Sequence, residues 1–287
     1  LRTAAGEHHI NGFLGVEPSA PLSHDGSMLP ALSTWARLGL VHGIGIVGST
    51  ALDVALGKAD LFHASSMTRT APTRARLTAT IHDVTTVTMP ELHTEGNIRA
   101  DRYYADRILR HADRIIAVSE NTRQDAIKAW NLDPNRVATI HSGVPAEYFT
   151  AKPTSRAKPY VLCAGTIEPR KNLPLLLDAW SEISVDLRDQ FDLLIAGPIG
   201  WESESVVQRV RRETNYLGYV PESQLPGLTA GATAFVYPSL YEGFGFPVAQ
   251  AMAARVPVIT SNISSLPEIT AGTSLLIDPH SSHELSR

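Results

Sequence analysis

Short, continuous apolar runs recur along the chain, and each stops at a small or polar residue. In the first half they are DLFHAS (Asp60–Ser65), TATIHD (Thr78–Asp83), RIIAVS (Arg114–Ser119) and VATIHSG (Val137–Gly143). In the second half they are YVLCAG (Tyr160–Gly165), FDLLIAG (Phe191–Gly197), TAFVYPS (Thr233–Ser239) and PVITSN (Pro257–Asn262). Unbroken apolarity, as opposed to strict alternation, suits strands buried on both faces of a parallel sheet. Helical patterns fill the gaps, among them NIRADRYYADRILRHAD (Asn97–Asp113), NTRQDAIKAW (Asn121–Trp130) and NLPLLLDAWSEI (Asn172–Ile183). Strand, polar turn, helix, strand is the doubly wound α/β arrangement. In such sheets ligands bind beyond the carboxyl ends of the strands, where the polar residues that end these runs fall.

The alternation breaks once, at TAKPTSRAKP (Thr150–Pro159), which reads as a linker with two prolines. We therefore expect two Rossmann-like domains facing across a cleft, residues 1–152 and 153–287. The first sixty residues fit less well: Glu17–Ser27 is loop-like, and Val41–Gly48 is Gly-rich without a strand before it. The final stretch, Asp278–Arg287, stops as a further helix is expected, so elements are expected to be missing at both ends. A net charge of -4 and a pI near 6.3 argue against a nucleic-acid binder, which needs excess positive charge. Cys163 is the only cysteine, which fits a reducing compartment, and no apolar run is of membrane-spanning length. A soluble, cytoplasmic protein is expected.

Two stretches carry the chemistry. In CAGTIEPRKNLPLLLDAW (Cys163–Trp180) a strand ends at Gly165, and a turn bears Glu168, Arg170 and Lys171. A helix then starts near Asn172–Pro174, with Asn172 as a candidate cap and Pro174 in the first turn. Two cations beside a helix N-terminus make a phosphate site, or else a solvated turn with its cations in water. In YPSLYEGFGFPVAQAMA (Tyr237–Ala253) a strand ends at Pro238–Ser239, and a helix starts near Pro247 with Val248, Ala251 and Met252 inward. Gly243 and Gly245 let backbone amides approach a ligand, with Glu242 beside them to accept sugar hydroxyls. The alternative is an ordinary strand-to-helix turn with an exposed Glu.

Together these stretches resemble the retaining glycosyltransferases of family 4, which have the GT-B fold. GTIEPRKN, LGYVPESQLPGLTAGATAFVYPSLYEGFG and AMAARVPVITSNISSLPEI follow that family's order, and TIHDVT, HADRIIAVSENT and IHSGV match its first half. The resemblance runs from about Asp60 to Pro279. It implies sugar transfer from a nucleotide-sugar donor to a hydroxyl on a glycan, glycolipid or small molecule, without a metal or other cofactor. It further implies that Lys171 meets the donor diphosphate. Thr166 follows Gly165 where the family has a second cation, and Arg170 is expected to replace that charge. By the same resemblance Glu242 is expected to contact the donor sugar, Gly243, Phe244 and Gly245 to line the sugar–phosphate pocket, and Leu217, Gly218 and Tyr219 to hold the base. His82 is expected to reach the transferred sugar, and Asp83 to orient its loop. Ser142 stands where the family has Asn before Gly143. Ser119 reads as a helix cap, with Glu120 after it.

Gln250 occupies the position of a second family Glu that accepts from the ribose. A neutral hydrogen bond contributes about 0.5–1.5 kcal/mol against about 1.5–3 for a charged one, so the exchange is expected to cost about 1 kcal/mol of donor binding. GPIGWESES, with Trp201, resembles the mannosyltransferase branch of polysaccharide assembly, implying GDP-mannose ahead of UDP- or dTDP-sugars. The rivals are a GT-B sugar-nucleotide epimerase and a catalytically silent nucleotide-sugar binder. A nicotinamide oxidoreductase lacks its GxGxxG signature. His8 and His9 have no partners at metal-ligand spacing, so no metal is assigned. Arg99, Arg102, Arg107, Arg110 and Arg114 string along one expected helix; with Asp101, Asp106 and Asp113 interspersed they read as an ion-paired face, a peripheral membrane contact being the alternative. Arg255 stands where the resemblance places Gly, after the helix of the second stretch; an Arg of positive φ costs about 1 kcal/mol, so a different turn is expected there.

Overall fold

The computed structural model describes residues 48–64, 66, 68–201 and 204–287. The loop at 17–27, the Gly-rich stretch before Gly48, and His8 and His9 lie outside the described residues. Among the described residues ten strands form two parallel sheets, one of four strands in the order β1-β2-β3-β4 and one of six in the order β10-β9-β8-β5-β6-β7. The first four are β1 (Leu61–Ala64), β2 (Arg76–Ile81), β3 (Arg114–Ala117) and β4 (Val137–Thr139). The other six are β5 (Tyr160–Ala164), β6 (Asp192–Ala196), β7 (Asn215–Gly218), β8 (Ala234–Tyr237), β9 (Val258–Ser261) and β10 (Leu275–Ile277).

One compact unit falls within Leu1–Thr80 and Arg99–Ile115, the other within Ile81–Ile98 and Ile116–Arg287. In the first, α1 (Ser49–Leu56) is followed by a loop that Asp53 closes: its carboxylate accepts from Thr73 N at 2.9 Å and from the Thr73 hydroxyl. The helix α2 (Glu95–Arg107) supplies Tyr104, which is buried and donates from its hydroxyl to the carbonyls of Ala64 and Thr80 at 3.3 and 3.4 Å. Burial pushes that phenol well above its ordinary range.

The expected helix over Asn97–Asp113 is shorter than its pattern. It ends at Arg107, and Ile108 and Leu109 turn inward to full burial ahead of a 3-10 turn at Leu109–His111. Asp113 then docks on the sheet, its N–H donating to Leu77 O at 2.8 Å and its carboxylate accepting from Leu77 N at 2.7 Å. The arginines therefore do not share one helix: Arg110 sits in the 3-10 turn, paired with Asp106 at 3.0 Å, and Arg114 opens β3. Arg69 and Arg107 lie over the Tyr103 ring at 5.6 and 5.7 Å.

In the second unit the inner strands are apolar because helices cover both faces; β5, β6 and β8 have no exposed residue. Leu162, Leu194, Ile195 and Phe235 form the centre of the core, where α4 (Leu173–Glu182) adds Leu176 and Leu177. The outer strands β7 and β10 went unrecognised in the sequence because β7, Asn-Tyr-Leu-Gly, is only partly apolar and β10, though apolar, is three residues long. Asn215 and Leu275 are exposed. Further helices α5 (Glu204–Glu213), α6 (Leu225–Ala230), α7 (Phe246–Ala253), α8 (Leu266–Thr270) and α9 (Ser282–Leu285) alternate with the strands. The proline-bearing segment Thr150–Pro159 lacks regular structure and is tied down at Thr154, whose N–H donates to Gly227 O at 2.9 Å.

The strand order matters more than the strand count. Counting from β5, it is 3-2-1-4-5-6 read from the β7 edge, and the direction of winding reverses between β5 and β8, which pair directly. That reversal opens a crevice at the carboxyl ends of these two strands. The ends are closely packed, and Gly197 after β6 shows how closely: a Cβ there would stand 1.9 Å from Gly165 O. We predict that Gly197→Ala destabilises the protein by about 2–3 kcal/mol in urea unfolding, the upper end of ordinary single substitutions. Gly143→Ala, with no atom within 4 Å of the added methyl, is the near-neutral control.

Candidate active site

The turns after β5 and β8 meet at the crevice. After β5 the chain makes a 3-10 turn at Pro169–Lys171, and Asn172 follows with φ 55° and ψ 39° before α4 begins. Pro174 sits in the first turn of α4, as expected, but Asn172 does not cap with its side chain. The left-handed backbone turns its amide away, and Nδ2 donates to Pro238 O at 3.1 Å and Pro279 O at 2.8 Å. Leu240 N donates to Arg170 O at 2.8 Å, fastening the two turns by their backbones.

This fastening brings two cations and two carboxylates together. Lys171 Nζ lies 2.6 Å from Glu242 Oε1 and 3.8 Å from Glu168 Oε1. Arg170 reaches Glu168 Oε1 at 2.8 Å and Glu242 Oε2 at 3.1 Å, and donates to Tyr241 O at 2.7 Å. Lys171 and Glu242 retain only 9% and 6% exposure, so neither behaves as a solvated surface charge. Both alternatives in which these turns merely present exposed charges are thereby set aside. Ser239 at the end of β8 donates to Glu242 Oε1 at 2.6 Å, and Lys171 lies 5.2 Å from the Tyr237 ring centroid.

Burial alone would raise the Glu242 carboxyl, but the charges of Lys171 and Arg170 outweigh it and hold it below its ordinary value. For Arg170, burial works to lower the guanidinium, and Glu242 and Glu168 reverse that, raising it. The Tyr237 hydroxyl is buried beneath the cluster without a hydrogen bond of ordinary geometry, and burial followed by the Glu242 charge raises it well above its usual value. The Cys163 thiol is buried and pushed up to about 12.

The loop from Glu242 to Gly245 runs from this cluster into α7. Gly243 is held from two sides. A Cβ there would come within 1.7 Å of His82 O, so only glycine permits the approach. Its carbonyl accepts from Ser119 Oγ at 2.6 Å and Thr122 Oγ1 at 2.9 Å. Ser119 also caps α3 (Glu120–Trp130), as expected, accepting from Thr122 N at 3.0 Å. His82 itself is exposed just after β2, and Asp83 closes the following turn by accepting from Thr85 N and Oγ1. Phe244 is buried, Gly245 precedes α7 with φ 91°, and Gln250 lies half-buried on that helix, where Val248 and Ala251 are fully buried. Arg255 has φ 61°, so the turn keeps its left-handed backbone with Arg in place of Gly, and the different turn expected there is not found.

Other expected residues stand apart from the charges. Gly165 follows β5 beside Tyr237, with Thr166 half-buried after it. Leu217 and Gly218 end β7, and Gly218 O accepts from Gly197 N at 2.7 Å. A cavity of about 800 Å³ includes Leu217 and Tyr219, with Lys152, Arg156 and Gln224, but none of the charged cluster. Trp201 donates from Nε1 to Leu92 O at 2.9 Å.

Sequence reasoning did not single out Ser239, Thr122 or Glu268. Glu268 on α8 accepts from Glu120 N at 2.8 Å and Asn121 N at 3.1 Å, neutralising the start of α3, and lies 2.6 Å from His141 Nε2. A carboxylate preceding no phosphate-like pattern gives no signal of this in the sequence. Among the described residues no group of three or more His, Cys, Asp or Glu is arranged to hold a metal, and no helix is long and apolar enough to cross a membrane.

Comparison with known proteins gives the family and the fold. Residues 19–148 match the family described as "Glycosyltransferase Family 4", and residues 146–287 match "Glycosyl transferases group 1". The chain is 36% identical over 220 residues to O-antigen chain mannosyltransferase B of Escherichia coli, covering 71% of this chain and 58% of that protein. It is 27% identical over 212 residues to the serotype-specific mannosyltransferase WbdA of Escherichia coli, covering 67% of this chain and 26% of that one. The chain thus spans less than two thirds of either relative. Among solved structures, Anabaena HepE in complex with UDP and glucose matches with a TM-score of 0.62 at 20% identity, covering 84% of this chain and 63% of that one. Two adjoining family matches, a Rossmann strand order and a paired Lys–Glu site at its winding reversal lead to one conclusion: the chain belongs to the family 4, group 1 glycosyltransferases and has their GT-B fold.

Proposed function

We propose that the chain transfers mannose from GDP-mannose to a saccharide hydroxyl, with retention of anomeric configuration and without a metal. The observation that carries this reading is the Lys171–Glu242 pair at the carboxyl ends of β5 and β8, where a doubly wound sheet takes a phosphorylated ligand. Lys171 and Arg170 balance the charge that grows on the leaving diphosphate as the glycosidic bond breaks, aided by the N-terminus of α7. The acceptor hydroxyl attacks the anomeric carbon from the same face, and its proton passes to a donor phosphate oxygen. Glu242 and His82 contact the sugar being transferred. Gly165, Thr166, Gly243, Phe244 and Gly245 line the diphosphate and sugar, while Leu217, Gly218 and Tyr219 receive the base and Gln250 the ribose.

The mannosyl assignment draws support from the two mannosyltransferase relatives, one of them acting on O-antigen chains. The UDP in the HepE structure bears on that protein, and its 20% identity carries the fold alone. Residues 1–152 form the acceptor side and 153–287 the donor side in this reading, and the two family matches meet close by, at 146–148. A cytoplasmic location fits the single, buried Cys163.

Three measurements test this reading. Lys171→Ala is expected to lower kcat/KM for the donor by about 10²–10³-fold, the scale on which a lost charge-stabilising donor acts; retained activity would remove Lys171 from the diphosphate site. In thermal-shift titrations GDP is expected to raise Tm more than UDP or dTDP, and selective stabilisation by UDP would overturn the GDP assignment. Gln250→Glu is expected to change donor affinity about fivefold with kcat nearly constant. A large gain in kcat at saturating donor would show that residue 250 acts on the chemical step.

A further inference from the structure

We propose that Glu242 masks Lys171 against bare phosphates, so that the site discriminates between a nucleotide sugar and a sugar-free diphosphate. This rests on the reading of Lys171 as the diphosphate ligand. The ammonium that a diphosphate would take already has a buried carboxylate 2.6 Å away, and Ser239 holds the same carboxylate oxygen at 2.6 Å. The other oxygen engages Arg170 at 3.1 Å, and Arg170 is itself retained by Glu168 at 2.8 Å and Tyr241 O at 2.7 Å. Both cations of the site are thus committed to internal carboxylates.

A diphosphate entering alone must share or displace Glu242 at Lys171. It then leaves a buried carboxylate that has lost its principal counter-charge, which is unfavourable. A nucleotide sugar brings replacement partners: its hydroxyls donate to Glu242 at the moment its phosphate claims Lys171. The sugar therefore helps its own diphosphate to bind through the enzyme's ion pair, and the residue that favours the donor also disfavours the nucleoside diphosphate product. Discrimination of this kind comes from a repulsive element aimed at the wrong ligand.

Inorganic pyrophosphate is the direct probe, because it offers the phosphates without sugar or base. Isothermal titration is expected to show pyrophosphate binding about tenfold tighter to Glu242→Gln than to the unaltered protein, while affinity for GDP-mannose stays equal or falls. Glu168→Gln removes a carboxylate 3.8 Å from Lys171 that chiefly serves Arg170, and is expected to give a gain of threefold or less. Equal gains in the two variants would mean a general charge effect and would overturn the masking role, as would unchanged or weaker pyrophosphate binding to Glu242→Gln. If Glu242→Gln does not fold, Ser239→Ala provides the reading. It removes the other donor to the shared oxygen, so that Glu242 depends more on Lys171, and is expected to weaken pyrophosphate binding two- to threefold; no loss there overturns the proposal. Lys171→Ala separates this failure from the larger one. If it leaves pyrophosphate binding unchanged, the phosphate assignment itself falls; if it weakens binding while Glu242→Gln brings no gain, only the masking role falls.

Discussion

The ion pair between Lys171 and Glu242 is the interaction on which the site depends. Its partners lie 71 residues apart on turns that follow β5 and β8, and the pair exists because the winding of the sheet reverses between those strands. A buried carboxylate and a buried ammonium each lose several kcal/mol of hydration, so neither turn is stable in this form without the other. Arg170 and Glu168 extend the pair to a group of two positive and two negative charges with most hydrogen-bonding directions filled. The arrangement is costly as a means of holding a fold together and well suited to exchanging partners with a charged ligand.

The Gly-rich loop beside the pair is fixed from outside the six-stranded sheet. Ser119 and Thr122 hold the Gly243 carbonyl, and the His82 carbonyl packs where any other residue would carry a Cβ. Glu268 on α8 caps the N-terminus of α3, and Tyr241 donates to Asp125 at 2.6 Å on the same helix. A loop supported in this way has its backbone positioned before any ligand arrives, which avoids an ordering cost at binding.

Much of this was legible in the residues. The eight inner or strongly apolar strands declared themselves by unbroken apolar runs, and the two carboxyl-end turns by cations and glycines at a strand-to-helix junction. The edge strands β7 and β10 did not, since Asn215–Gly218 has too little apolar surface to stand out and Leu275–Ile277 is too short a run. The helix of Asn97–Asp113 was overextended because a helical period says nothing about Asp113 pairing with Leu77, 36 residues away. In the site, residue types pointed to Lys171 and Glu242 singly. Their pairing, and the parts played by Ser239, Thr122 and Glu268, depend on long-range geometry that no local spacing encodes.

Asn172 offers a last consequence. Its side-chain amide spans two carbonyls, Pro238 at the end of β8 and Pro279 beyond β10, the latter 107 residues downstream. Contacts of such separation form late, because the intervening chain must be ordered first. During synthesis, therefore, β5 and its cationic turn emerge long before the residues that lock them. The nascent chain carries Arg170 and Lys171 on an unlocked turn until Pro279 has left the ribosome, and the final geometry of that turn is tied to completion of the sheet.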